Sequence, residues 1–234
     1  MRAEKNSLRL ALKAEALLGL HLVTRHRAPR LAAVLGLALV ATAAASGSGH
    51  SPARPVLLIA STVAVVAASR LLAGGPALAA ARMVAARWWV VPVGRLAGAL
   101  CAVAPFTLGM AAMLAGSHGD AGPWRLAWVA GAYAAVLIAC TMAMASRLGA
   151  SAAATLGCFG VWLGGVPPSA LSAMLAPWPL ARQGALWSWG VLPLPWRALR
   201  WLAGGPATDP LLLMAWLVMG VTLAGWRLSP RSGT

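Results

Sequence analysis

The chain has 234 residues, 60% of them hydrophobic and only 10% charged, with a net charge of +15 and a mean hydropathy of +0.77. A soluble domain carries roughly 25% charged residues, so this composition excludes an ordinary soluble protein and points to an all-α integral membrane protein. The basic excess does not indicate nucleic acid, because the cations are scattered between apolar runs, as suits a chain facing an anionic inner leaflet.

Residues 1–30 hold Arg2, Lys5, Arg9, Lys13, Arg25, Arg27 and Arg30 against Glu4 and Glu15. Interleaved leucines at near-helical spacing predict a basic amphipathic helix along the cytoplasmic membrane surface, with the chain turning inward at Pro29. Residues 31–234 then read as one transmembrane domain. Its first span is 31–47, followed by the polar connection SGSGHSPARP and a second span at 56–72.

The next stretch, RLLAGGPALAAARMVAARWWVVPVGRLAGAL at 70–100, carries Arg70, Arg82, Arg87 and Arg95, the pair Trp88-Trp89 and a turn-like Val91-Pro92-Val93-Gly94. Each arginine costs about 2.5 to 3.5 kcal/mol at mid-bilayer on insertion scales, so four of them do not fit a span. A short helix at about 76–92 is expected instead, with arginines in water and indoles at the headgroups.

Span three is about 95–115 with a kink at Pro105, span four about 125–146, and span five 150–167 after a tight turn at Arg147 and Gly149. Residues 168–209 contain many prolines, tryptophans and Arg182, Arg197 and Arg200. No clean span fits there; short helices dipping into the outer leaflet, anchored by Trp, are expected. The last span is about 210–226.

Six spans put both termini on one side. Fourteen of the 19 Lys/Arg fall on that side, and five, Arg54, Arg125, Arg182, Arg197 and Arg200, on the other. The positive-inside rule makes the first side, with the termini and the 70–95 segment, cytoplasmic.

The four acidic residues fall outside the predicted spans, Glu4 and Glu15 on the N-terminal helix, Asp120 and Asp209 in outer loops. This argues against an ion-coupled carrier, which keeps an ionisable group at mid-membrane. The histidines show no metal spacing, the three cysteines form no CxxC pair, and the serine-motif echo GASA at 149–152 has no later histidine to act as base. No cofactor or metal is expected. The absence of GxxxxGK[ST] means that any ATP must be handled by another subunit. Two GxxxG motifs, Gly94–Gly98 and Gly160–Gly164, would let helices approach closely.

Taken in order, these features resemble the membrane subunit of an ABC-2-type ABC transporter. The carriers are the basic amphipathic elbow SLRLALKAEALLGLHLVTRHRA at 7–28, a cytoplasmic helix ending VVPVGRLAGAL, a tight inner turn, LPLPWRALRWLAGG at 192–205, and arginine after the last span. The family often has an acidic residue opening the central helix; here none occurs between Glu15 and Asp120, leaving the contact to arginine donors.

The resemblance implies a six-span permease of the inner membrane, non-catalytic itself. It would pair with a second permease subunit, identical or not, and with an ATP-binding cassette ATPase, and would contact membrane lipid but no nucleic acid. Arg82, Arg87, Trp88, Trp89 and Arg95 would then form the coupling surface, and Trp187, Trp189, Pro193, Pro195 and Trp196 the outer re-entrant segment. The alternatives are a haem-exporter-type B subunit of cytochrome c maturation and a non-transporting structural or assembly subunit.

Overall fold

A computed structural model describes residues 2–45, 53–72, 88–118 and 122–226. The described residues are helical, with no strand among them. The helices are α1 (Arg2–Arg25), α2 (Arg27–Ala45), α3 (Ala53–Ala68), α4 (Val90–His118) and α5 (Gly122–Leu148), then α6 (Ala150–Gly164), α7 (Pro168–Met174), α8 (Pro179–Val191), α9 (Pro195–Leu202) and α10 (Thr208–Trp226).

Three of these, Val90–Leu114, Gly122–Leu148 and Thr208–Trp226, are long and apolar enough to cross a membrane. A fourth crossing is available if α6 and α7, bent by 93° at a short break, count as one. α3 is apolar but shorter.

The first reversal falls at His26, not at Pro29. Pro29 lies in the first turn of α2, where a missing N–H breaks no helical hydrogen bond. The same reasoning corrects the turn expected at Val91–Gly94. Pro92 sits in the first turn of α4, so the helix starts at Val90 and takes in residues assigned to the 76–92 helix. Residues 76–87 of that helix, including Arg82 and Arg87, lie outside the described residues. α4 continues through Pro105.

Contacts fix the chain direction. Pro29 of α2 lies near Val66 and Ser69 of α3, while Gly36 lies against Ile59 of α3 and Phe106 of α4. Leu71 meets Arg95. Helices α2 to α6 therefore alternate in direction, and α10 returns alongside α5, with Gly220 against Ala139 and Cys140. α7 to α9 lie between, at the far end.

Two apolar clusters make the core, one joining Val56–Val65 of α3 to Phe106, Met110, Tyr133 and Leu213, the other joining Val23, Ala64–Leu72, Leu96, Ile138 and Ala224. α3 contributes to both, and the most apolar window of α5 is 72% buried, so these two helices form the interior. The corresponding window of α10 is only 28% buried.

α10 turns Leu211, Met214 and Val218 outward, and α2 turns out Leu31, Val34, Leu35 and Leu39, at helical spacing. Apolar stripes of this kind are compatible with lipid around the bundle and unlike a soluble surface.

The connection between α5 and α6 is Gly149 alone, at φ 86°, a left-handed conformation that costs glycine nothing. The stretch 168–209 resolves into three short helices, each with proline in its first turn.

Candidate functional site

The bundle has two charged ends. At the first, Arg95 stands in the second turn of α4 with only 1% of its surface exposed. Its Nε donates to Glu15 Oε2 at 2.9 Å and its Nη1 to the Leu71 carbonyl at 2.5 Å. One side chain thus ties α1, the end of α3 and the start of α4 together.

The glycines of the first GxxxG motif make this possible. A Cβ on Gly94 would stand 2.5 Å from Glu15 Cβ, and one on Gly98 would run into the Ala16 carbonyl. Gly19 of α1 likewise faces the Arg95 backbone. The backbones of α1 and α4 therefore cross in contact. The second motif makes no such crossing, since Gly160 faces open space and Gly164 receives Leu194 and Pro195.

Of the residues expected to form the coupling surface, Trp88, Trp89 and Arg95 are described. Trp88 is 43% exposed and lies over Gly225 near the end of α10, and Trp89 accepts a hydrogen bond from Val93 N–H at its carbonyl. Arg95 departs from expectation. The sequence suggests a wet, arginine-bearing face here, yet Arg95 is enclosed. The reason is Glu15, eighty positions away, because a buried guanidinium is tolerated only when paired and hydrogen-bonded.

Beside this clamp a cleft of about 460 Å³ opens among Arg25, His26 and Arg27 of the α1–α2 joint, Ser69 and Arg70 after α3, and Ser151 at the start of α6. Arg147 closes α5 at the same end.

The opposite end is organised by Asp209. The sequence places Asp209 in an outer loop, but it occupies the first turn of α10 and is fully buried. Arg197 Nη1 reaches its Oδ1 at 2.9 Å, and Arg200 donates to Oδ2 from Nε at 2.6 Å and to Oδ1 from Nη2 at 2.5 Å. This hydrogen-bonded carboxylate holds the Arg200 guanidinium above its ordinary pKa. Both guanidiniums also lie over the Trp196 ring, at 5.0 and 4.6 Å from its centre. Arg197 further donates to the Gly190 carbonyl at the end of α8.

Side-chain hydrogen bonds hold the 168–209 stretch to the bundle. Tyr133 O–H donates to the Pro193 carbonyl at 2.7 Å, Trp189 Nε1 to Val166 at 3.1 Å and Trp216 Nε1 to Val191 at 2.7 Å. Pro195 opens α9 and packs on Gly164. Trp187 stays outside this network, 74% exposed.

Among the described residues no group of three His, Cys, Asp or Glu is placed to hold a metal, and Cys101, Cys140 and Cys158 are free. Comparison with protein-family models, curated proteins and solved structures finds no match to the chain.

Proposed function

We propose that this chain is the transmembrane permease subunit of an ABC transporter of the inner membrane, moving its substrate by work done in a separate ATPase subunit. On this reading α2 to α6 and α10 are six spans, with both termini and the 73–87 stretch in the cytoplasm. α1 is the elbow helix, and 168–209 is the outer re-entrant segment.

The observation that carries the reading is the Glu15–Arg95–Leu71 clamp. In sequence, residues 73–87 are flanked by Leu71–Leu72, where Arg95 holds the Leu71 carbonyl, and by Trp88, seven positions before Arg95. A push on that stretch would act on α1, α3 and α4 together, and through Trp88 on α10, so the helices would rock as packed bodies.

The test is to purify the chain with its native partners and reconstitute it in vesicles. Co-purification of a P-loop ATPase, and solute movement that requires ATP hydrolysis, would support the proposal. Stoichiometric membrane partners without an ATPase would replace it with the structural-subunit reading, and bound haem absorbance with the haem-exporter reading.

A further inference from the structure

The cleft at the α1–α2 joint gathers Arg25, Arg27 and Arg70 around a volume of about 460 Å³, with His26, Ser69 and Ser151 also on its wall and no carboxylate among its lining residues. This volume lies within the range of about 300 to 1,000 Å³ usual for small-molecule sites. The three arginines are solvent-exposed, so water and salt screen most of their mutual repulsion, and an anion among them would relieve the rest.

The chain has little to offer as that anion. It has four acidic residues in all. Glu15 is engaged by Arg95, and Asp209 by Arg197 and Arg200 at the other end. Glu4 is about 30 Å from Arg25 along α1, at 1.5 Å per residue. Asp120 lies outside the described residues, between α4 and α5, whose flanking ends are at the opposite end of the bundle.

The wall adds donors of its own. Besides the three arginines, Ser69 and Ser151 line the cleft, and the first turn of α6 has no side-chain cap from Gly149. Arginine forks match the oxygens of a phosphate in pairs.

We propose that this cleft binds a phosphate-bearing anion, through Arg25, Arg27 and Arg70. Two sources share that chemistry: the headgroup of an anionic phospholipid, reaching the cleft from the bilayer, and soluble phosphate. The proposal stands whether or not an ATPase docks at the neighbouring segment, so its test is independent of transport.

The full-length chain is placed in nanodiscs of phosphatidylcholine, with and without phosphatidylglycerol, and its thermal stability and retained lipid are measured. Inorganic phosphate is titrated separately into the phosphatidylcholine sample. Stabilisation by phosphatidylglycerol alone identifies the headgroup as ligand, and stabilisation by phosphate in neutral discs identifies a soluble anion.

Arg25→Gln with Arg70→Gln is expected to weaken the effect about tenfold or more, while Arg54→Gln with Arg125→Gln, at the opposite end, leaves it intact. Ser151→Asp guards against a folding defect in the first variant. A carboxylate favours the start of α6 yet occupies the cleft with negative charge, so stability in neutral discs should hold while anion binding falls. No response to either anion, or equal loss from the variants at both ends, overturns the proposal.

Discussion

Arg95 and Glu15, eighty positions apart, meet at 2.9 Å across the crossing of α4 and α1, with the arginine buried and the carboxylate 15% exposed. Removing one partner of a buried pair costs about 3–5 kcal/mol, because the other charge is left uncompensated. Glu15→Gln should approach that loss, because Arg95 stays charged and buried at 1% exposure. Arg95→Gln should cost less, because the Glu15 left behind is partly wetted. Thermal unfolding in detergent ranks the two, and the reverse order would show that the clamp works otherwise than drawn.

The same crossing predicts the effect of one added methyl. Gly98→Ala drives a Cβ into the Ala16 backbone, so α1 and α4 must separate, at about 1–3 kcal/mol. Gly160→Ala, in the other GxxxG motif, meets open space and should stabilise its helix by about 0.5–1 kcal/mol. A measured penalty at both positions, or at neither, would refute the assignment of the close approach to the first motif alone.

Much of the helical layout is legible in the sequence because apolar runs, glycine turns and prolines act locally. Gly149 marks its turn by composition alone, and the Pro/Trp-rich stretch at 168–209 declares itself unfit for a single span. The pairing of charges is not legible. Nothing near Arg95 in sequence announces Glu15, and Asp209 was read as a loop residue because its partners sit nine and twelve positions back, across a turn and a separate helix. The identical GxxxG spacing of two motifs likewise hides which one has a helix opposite. Boundaries moved for a local reason, since Pro29 and Pro92 look like breaks yet fit first turns.

At the other end, Asp209 is shared by a buried arginine and a half-open one. Asp209→Asn leaves Arg197 buried without a counter-charge and should cost about 3–5 kcal/mol. Arg200, whose side chain is 41% exposed, is screened by solvent, so Arg200→Gln should cost no more than about 1 kcal/mol. Melting temperatures of the two variants side by side decide this, and a loss from Arg200→Gln as large as that from Asp209→Asn would mean that the exposed pair is the stronger one.

The coupling proposal makes a demand on Arg82 and Arg87, two of the arginines between α3 and α4. Arg82→Glu with Arg87→Glu reverses the charge offered to an ATPase and leaves every predicted span unaltered in sequence. Membrane insertion should therefore be kept, while transport falls and ATP hydrolysis runs on uncoupled. Transport at the unaltered rate in vesicles would remove these residues from the coupling surface.

The proposed membrane orientation rests on where the cations lie. Arg25, Arg27, Arg70, Arg95 and Arg147 share one end of the bundle, whereas Arg54 and Arg125 open helices from the other, where Arg197 and Arg200 also sit. With juxtamembrane cations worth about 1 kcal/mol each near an anionic leaflet, the proposed reading puts the first end in the cytoplasm. In a chain whose three cysteines are replaced by alanine, Ser188→Cys on α8 should react with an impermeant maleimide added outside intact cells. Ser151→Cys should react only after the membrane is opened. The opposite pattern would invert the orientation and move the 73–87 stretch to the outer side, beyond the reach of a cytoplasmic ATPase.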